Sequence, residues 1–246
     1  MLRLVSRQIK LPARSQVHKT SMLKVSSCRQ HAFGLLLAAA AISGYARADV
    51  TQGWFQNTGF LRLDERWSVG LYLDLRVTDV VGELATTMFS PRVRYDLSAH
   101  WSAQVNTTWL EAQAADARGR TAFTRLEFEL NPRCALSDRL TFSARNRVEL
   151  RWIEDVEGIN ERLRLRPQLD VLTPWAGPVQ GVFINNEVFY DFDQQRVTEN
   201  RLTPFGVVFR PAKQLEFRVY HLWRHARARD RWFDFHVLGM HASVNF

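Results

Sequence analysis

Hydrophobic and polar residues alternate along most of the chain that follows residue 50. In residues 67–77 the odd positions are Trp, Val, Leu, Leu, Leu and Val, whereas the even positions are Ser, Gly, Tyr, Asp and Arg. A period of two places the two sets on opposite faces of a β-strand. Residues 140–152 repeat the pattern, with Leu150 on one face and Glu149 on the other. The sequence therefore predicts amphipathic strands rather than helices.

The alternation predicts eleven strands. They are expected at about residues 52–63, 67–77, 85–97, 101–113, 121–132, 140–152, 161–172, 179–191, 199–210, 215–226 and 232–246. Most have about 11 to 14 residues, whereas globular strands usually have about 5 or 6 and tilted membrane strands need about 9 to 11. We therefore expect an all-β fold, a transmembrane antiparallel up-and-down β-barrel of about 10 to 12 strands.

The odd tally conflicts with the even number of strands that is usual in bacterial single-chain barrels. We therefore expect ten or twelve strands, with one segment split, not spanning, or approached through the lumen. Alternation alone also fits a soluble β-sandwich, in which the charged face would contact water. Two further patterns favour the membrane barrel.

These patterns concern the connections and the aromatic residues. Brief connections at residues 64–66, 98–100, 131–139, 173–178 and 211–214 alternate with longer, charged ones at residues 111–120, 154–160, 191–198 and 225–231. This contrast is typical of periplasmic turns and extracellular loops. Aromatic residues near both ends of the strands predict two interfacial belts, one with Trp67, Tyr95, Trp101 and Phe246 and the other with Trp152, Trp223 and Trp232.

The chain ends in Phe246, and the alternation continues up to that residue. A terminal aromatic residue on an amphipathic strand resembles the signal by which bacterial outer-membrane barrels are recognised for insertion. We therefore expect Phe246 to be an assembly signal. The expected partners are the barrel assembly machinery and outer-membrane lipid.

An export signal is predicted at the other end of the chain. Residues 33–42 form an apolar run that follows Lys24 and Arg29 and precedes Ala46-Arg47-Ala48, the pattern of a signal peptide with a small-residue cleavage site. The run is too short for a membrane-spanning helix, which needs about 20 apolar residues. Cleavage is therefore expected before Asp49.

The predicted domains are a signal peptide, residues 1–48, and a single outer-membrane barrel, residues 49–246. A start at Met22 would give a signal peptide of more usual length. The basic composition of residues 1–21 also fits a mitochondrial transit peptide. The second, hydrophobic signal favours export to a Gram-negative outer membrane.

Cleavage changes the charge balance. Residues 1–48 contain eight Lys or Arg and no Asp or Glu, so the remaining chain has 25 basic and 25 acidic residues. A neutral domain gives no sign of the basic patch that nucleic-acid binding requires, so no nucleic-acid partner is expected. Cys134 is the only cysteine that remains. It is expected to be a buried, unreactive thiol rather than one that pairs with another chain.

With the apolar faces turned to lipid, many charged side chains point into the lumen. The predicted inward residues are Asp74, Arg76, Arg92, Arg94, Asp96, Arg125, Glu127, Glu129, Arg145, Arg147, Glu149, Arg151, Arg162, Arg164, Arg166, Asp170, Glu187, Arg201, Glu216, Arg218 and Arg224. One interpretation is an ion-paired lattice that fills a narrow barrel. The other is that surplus arginine lines a pore or pocket for anions.

Enzymatic chemistry has weaker support. A lipid hydrolase would need a nucleophile, a histidine and an orienting group in mutual reach; Ser143 is inward, but no motif marks it. His221, His225, His236 and His241 could supply a base or a zinc site, yet they are expected to be interfacial because His221 shares the predicted lipid face. The sequence contains no nucleotide-binding or paired-cysteine motif. No catalytic residue, metal ligand or cofactor is assigned.

Several short segments together resemble a family of bacterial outer-membrane proteins that is catalogued as domain of unknown function 2490. In chain order they are Trp54, Arg92-Val-Arg94-Tyr-Asp96, Arg145-Asn-Arg147-Val-Glu149-Leu-Arg151, Glu161-Arg162-Leu-Arg164-Leu-Arg166, Asn185-Asn186-Glu187 with Phe189, and Glu199-Asn200-Arg201 with Gly206. The resemblance implies the barrel fold and the outer-membrane location. It implies no activity, because none is defined for the family.

The sequence thus favours a narrow pore or binding barrel for small, anionic solutes. The alternatives are an outer-membrane hydrolase or lipid-modifying enzyme, and a structural barrel with a closed, ion-paired lumen.

Overall fold

The computed structural model describes residues 51–78, 84–113, 119–174, 177–228 and 230–246. The predicted signal peptide lies outside these residues. Among them, no helix has the length and hydrophobicity required to cross a membrane. They form eleven strands: β1 (Thr51–Arg62), β2 (Trp67–Thr78), β3 (Leu84–Asp96), β4 (Trp101–Gln113), β5 (Arg120–Ala135), β6 (Leu140–Ile153), β7 (Asn160–Leu172), β8 (Val179–Asp191), β9 (Arg196–Ala212), β10 (Leu215–Ala228) and β11 (Arg231–Asn245).

The strands close into one barrel in chain order, with β1 between β2 and β11. Consecutive strands are antiparallel, whereas β1 and β11 pair in parallel from Thr51 opposite His236 to Phe60 opposite Asn245. The predicted all-β up-and-down barrel is confirmed, and so is the tally of eleven. Eleven lies within the predicted range of about 10 to 12 strands, whereas the expectation of an even number, ten or twelve, was wrong. In a meander with an odd number of strands the first and last run in the same direction, so a parallel ladder closes the sheet and leaves no edge.

The last residue takes part in this closure. The Phe246 amide donates to the carbonyl oxygen of Phe60 at 2.9 Å, and the Arg62 amide donates to the carbonyl oxygen of Phe246 at 3.1 Å. Inside the barrel, Thr58 and His241 are hydrogen-bonded across the same seam at 2.8 Å. Backbone and side chains therefore both hold the two ends of the barrel together.

Strand pairing continues further than the sequence predicts. β9 begins at Arg196 and β10 ends at Ala228, inside two of the segments predicted to be long loops. The connection from β8 to β9 has four residues, as does the one from β3 to β4. The predicted contrast between short and long connections is thus wrong in this part of the barrel. Arg224, near the end of β10, donates a hydrogen bond to Glu199 inside the lumen.

The barrel is hydrophobic outside and largely polar inside. Leu75, Phe128 and Met240 on the outer surface are 44 to 48 % exposed, although they are large and apolar. Exposed tryptophans lie near both ends of the strands: Trp67 and Trp101 at one end, and Trp109, Trp152, Trp223 and Trp232 at the other. Cys134 is also exposed, so the expectation of a buried thiol was wrong; it lies near the end of β5.

One wall of the lumen is apolar, which the sequence analysis did not predict. Its buried cluster contains Trp54, Phe183, Val208, Tyr220, Leu222 and Val237, from β1 and β8–β11. Two glycines make room for its rings: a Cβ atom at Gly206 or Gly239 would lie within 2.3 Å of the ring of Phe183 or Tyr220. The lumen therefore has an aromatic wall, formed by this cluster, and a charged wall, formed by β5–β7.

Candidate functional site

The charged wall is organised around Glu149 on β6. This carboxylate is fully buried and lies 2.5 Å from Arg162 and 2.6 Å from Arg164 on β7. Arg147 on the same strand and Arg125 on β5 lie 3.5 and 3.9 Å away. Four guanidinium groups thus surround one carboxylate.

The strand register explains how such a cluster forms. Glu127 is directly opposite Glu149, and Arg147 is directly opposite Arg164. Like charges side by side would repel each other. Opposite charges on the other neighbouring strand offset this repulsion, because Arg162 is directly opposite Glu149 and Glu129 is directly opposite Arg147. Diagonal contacts, such as the one between Arg164 and Glu149, add to these direct pairs. Arg147 reaches Glu127 at 2.8 Å and also contacts Glu129.

Glu187 on β8 extends the lattice toward the aromatic wall. It lies 2.5 Å from Arg145, 3.0 Å from Arg164 and 3.9 Å from Arg201. Arg164 and Arg201 both stack over the ring of Phe189, each at 4.4 Å. Cation–π contacts of this kind stabilise a desolvated guanidinium, so the aromatic residues also hold arginines in place.

A second network surrounds Asp74 on β2, which is also fully buried. Its Oδ2 atom accepts hydrogen bonds from Arg76 at 2.7 Å, Tyr72 at 2.8 Å and Gln56 at 3.1 Å. Gln56 in turn accepts one from Tyr220 of β10 at 2.8 Å. This network crosses the β1–β11 seam from inside and links β2 to β10.

Between the two networks lies a cavity of about 1160 Å³ that follows the lumen. Its lining extends from Thr78 and Gln113 near one rim to Ser243 and Asn245 near the other. Among the described residues that line it are sixteen arginines and only seven carboxylates. The buried carboxylates of Asp74 and Glu149 offset two of these charges, which leaves the lumen electropositive.

The other predicted lumen residues take several positions. Arg94 pairs with Asp96, Arg218 with Glu216 and Asp170, Arg151 with Asp191, and both Arg201 and Arg224 with Glu199. Asp191 and Glu199 were missed as lumen acids, although each lies at the end of a predicted strand and shares the alternation of an assigned inward residue, Glu187 or Arg201. Arg92 and Arg166 line the cavity but belong to no ion pair in the described part of the chain.

Among the described residues, the candidate nucleophile and the candidate histidines of a hydrolase are not joined to one another by a hydrogen bond. Ser143 lines the cavity, but no hydrogen bond joins it to a histidine in the segments that the structure describes. The expectation that all four histidines are interfacial was wrong for His241, which lies in the lumen against Thr58 and Ser243. In the same segments, no group of three or more His, Cys, Asp or Glu side chains could hold a metal ion.

The other three histidines form a separate group on the outer surface. His221 and His236 are stacked and hydrogen-bonded at 3.1 Å, and His225 contacts Asp234. Trp223 packs against both His225 and His236. These residues therefore form a cluster of polar aromatic side chains on the outer surface of β10 and β11.

Comparison with known proteins gives the family. A family model described as "Protein of unknown function (DUF2490)" matches residues 51–234, most of the described chain. The chain belongs to this family. The predicted resemblance to domain of unknown function 2490 is thereby confirmed. No curated protein matches the sequence of this DUF2490 member.

A solved structure described as "Bacterial polysaccharide outer membrane secretin" is similar with a TM-score of 0.47 at 10 % identity. The match covers 70 % of the DUF2490 chain and 62 % of that protein, less than two thirds of its length.

The lattice predicts a large stability cost for Glu149→Gln. The variant leaves four arginines of the DUF2490 barrel without their shared carboxylate, and breaking a buried pair typically costs about 3–5 kcal/mol. The matched control is Asp96→Asn, which removes a carboxylate that is 31 % exposed, where a loss of at most about 1 kcal/mol is expected. Urea unfolding in detergent micelles, followed by tryptophan fluorescence, measures both. Equal losses would show that the barrel does not depend on the Glu149 cluster.

Proposed function

We propose that this protein is an outer-membrane barrel that admits small anions into its lumen. The observation that carries the proposal is the cavity along the lumen, in which sixteen arginines face seven carboxylates. Rings of arginine favour anions over cations in a pore. Because the charges are held by ion pairs and stacking contacts, this preference is fixed by the fold.

The outer surface supports the membrane location. Soluble monomers rarely expose contiguous apolar patches larger than a few hundred Å², whereas this barrel carries exposed Leu, Val, Phe and Trp side chains around its outside. Strands of 12 to 17 residues are long enough to cross a bilayer at a tilt. Tryptophans near both strand ends match the aromatic girdles of outer-membrane barrels.

The export and assembly steps belong to the same proposal. Residues 1–48 direct export and are removed before Asp49. Phe246, 72 % exposed at the end of β11, presents its ring to the barrel assembly machinery. In this orientation the rim that contains Phe246 faces the periplasm.

A closed structural barrel is the second candidate, and the ion-paired lattice itself favours it. The charges of Glu149, Glu187 and Asp74 are already satisfied by neighbouring strands, as expected of a lumen that is filled rather than open. Conductance separates this candidate from the anion barrel.

Single-channel recording tests the proposed activity. The mature chain, refolded in detergent and added to planar bilayers under a KCl gradient, should give small conductance steps with a reversal potential of the sign expected for chloride selectivity. The reason is the surplus of lumen arginines. Cation selectivity would contradict the proposal, and a barrel that inserts but does not conduct would favour the closed structural barrel.

Leu150→Arg tests the location. Leu150 lies opposite Leu126 on the outer face, and a charge there should cost roughly 2–4 kcal/mol near the bilayer midplane and less toward its edges. The variant should be depleted from outer-membrane fractions, whereas the control Leu150→Ala should be retained.

Mass spectrometry of the wild-type protein from the same fractions should show a chain that begins at Asp49. Wild-type protein that is folded and monomeric in plain buffer would contradict the membrane proposal.

Phe246→Ser tests the assembly signal. Unlike deletion of the residue, this substitution keeps the two backbone hydrogen bonds that Phe246 makes with β1. The yield in the outer membrane should fall in cells, while the same variant refolds in detergent as well as wild type. Val244→Ser, also on the outer face of β11, is the control for general loss of hydrophobicity. Equal yields of both variants would exclude a specific role for the terminal ring.

A further inference from the structure

Arg92 on β3 and Arg166 on β7 differ from the other arginines deep in the lumen. Neither forms a hydrogen bond or an ion pair within the described residues, and the Nε atom of each is buried without a partner. Arg92 stacks over the ring of Tyr72 at 4.6 Å. A buried guanidinium donor without an acceptor is costly, so these two side chains are the least satisfied part of the charged wall.

The two arginines enter the same part of the lumen from different sides. Three strands, β4–β6, separate β3 from β7 along the barrel wall. Both side chains nevertheless lie within electrostatic reach of His241 on β11, and both line the cavity. Both also lie within electrostatic reach of Glu129, so the two guanidinium groups share these neighbours in the cavity.

The carboxylates near these arginines are already engaged. Glu129 contacts Arg147 and accepts hydrogen bonds from Asn106 and Asn131. Glu187 is shared by Arg145, Arg164 and Arg201, as described above. The surrounding protein therefore neutralises Arg92 and Arg166 only in part, and an acceptor from solution can complete their coordination.

We propose that Arg92 and Arg166 form a binding site for a tetrahedral oxyanion, phosphate or sulfate, in the lumen. Each guanidinium presents a planar fork of donors that fits two oxygens of such an anion. A tetrahedral dianion offers oxygens toward both forks at once, whereas a carboxylate presents its two oxygens on one side. Stacking on Tyr72 fixes the plane of Arg92 and leaves its edge free to donate. This inference rests on the proposed function, because the lumen must be open to solutes.

Equilibrium binding tests the site without any need for conduction. The full mature barrel in detergent is titrated with inorganic phosphate, sulfate and acetate by isothermal titration calorimetry at constant ionic strength. Phosphate and sulfate should bind saturably, and acetate more weakly. Arg92→Gln combined with Arg166→Gln should weaken phosphate binding at least about tenfold, as expected from the loss of charge-assisted hydrogen bonds.

Arg94→Gln combined with Arg133→Gln is the matched control. This pair removes the same charge from two cavity-lining arginines. Arg94 is 43 % exposed and paired with Asp96, and Arg133 is exposed. Phosphate affinity should change less than about twofold, because only general electrostatic attraction is reduced. An equal loss in both pairs would overturn the site and leave only a diffuse positive potential.

Stability gives a second, independent measurement. Phosphate should raise the urea midpoint of the wild-type barrel and of the control pair, because a ligand that binds the folded state stabilises it. It should not do so for the Arg92/Arg166 variant. That variant should fold at least as well as wild type without phosphate, since it removes unpaired buried charges. A variant that loses stability without phosphate would instead show that the two arginines are structural.

The outcomes distinguish the site from the pore. Saturable phosphate binding without conductance would support the proposed oxyanion site and contradict the proposed pore. Anion-selective conductance without saturable binding of phosphate or sulfate would retain the pore and overturn the site.

Discussion

The charged wall depends on the ion pairs of Glu149, whose carboxylate is buried among four guanidinium groups. Bringing so many charges into a narrow lumen is unfavourable unless each finds an opposite charge in reach. The combination of direct and diagonal ion pairs among β5, β6 and β7 provides this compensation. It also fixes the register of these strands, because a shift by one residue would turn the charges to the outer surface and the leucines inward.

The aromatic wall has a different role on the other side of the lumen, where it fills space without adding charge. Trp54, Phe183 and Tyr220 fill space that charged side chains could occupy only with further partners. They also provide flat surfaces on which Arg76, Arg201 and Arg218 pack. The two walls together leave a cavity with a positive lining instead of a solid core. This division of roles gives the barrel both its rigidity and its electrostatic character.

The strands could be predicted from the sequence because alternation is a local property. The predicted positions of Trp67, Trp101 and Leu140 as strand starts agree with the structure. Register changes are not local. β9 has a bulge between Thr203 and Gly206, opposite Phe183 and Asn185, which shifts the alternation along that strand.

Contacts across the lumen depend on closure, so the sequence could not predict them. The hydrogen bond from Tyr220 to Gln56 joins residues 164 positions apart. The inward direction of Arg92 and Arg166 followed from alternation, but their lack of partners did not. That property depends on how Glu129 and Glu187 are shared among strands that are distant in the sequence.

The parallel seam has a consequence for how the barrel forms. It joins the first strand to the last, so the pair that closes the sheet has nearly the greatest sequence separation in the domain. Contacts of this kind form slowly, because a long loop must be ordered before they contribute. Until β11 is complete, β1 keeps an unpaired edge that can join the strands of other chains. A chain that lacks the last strand therefore cannot close the barrel, because the backbone N–H and C=O groups along one edge of the first strand would have no partners.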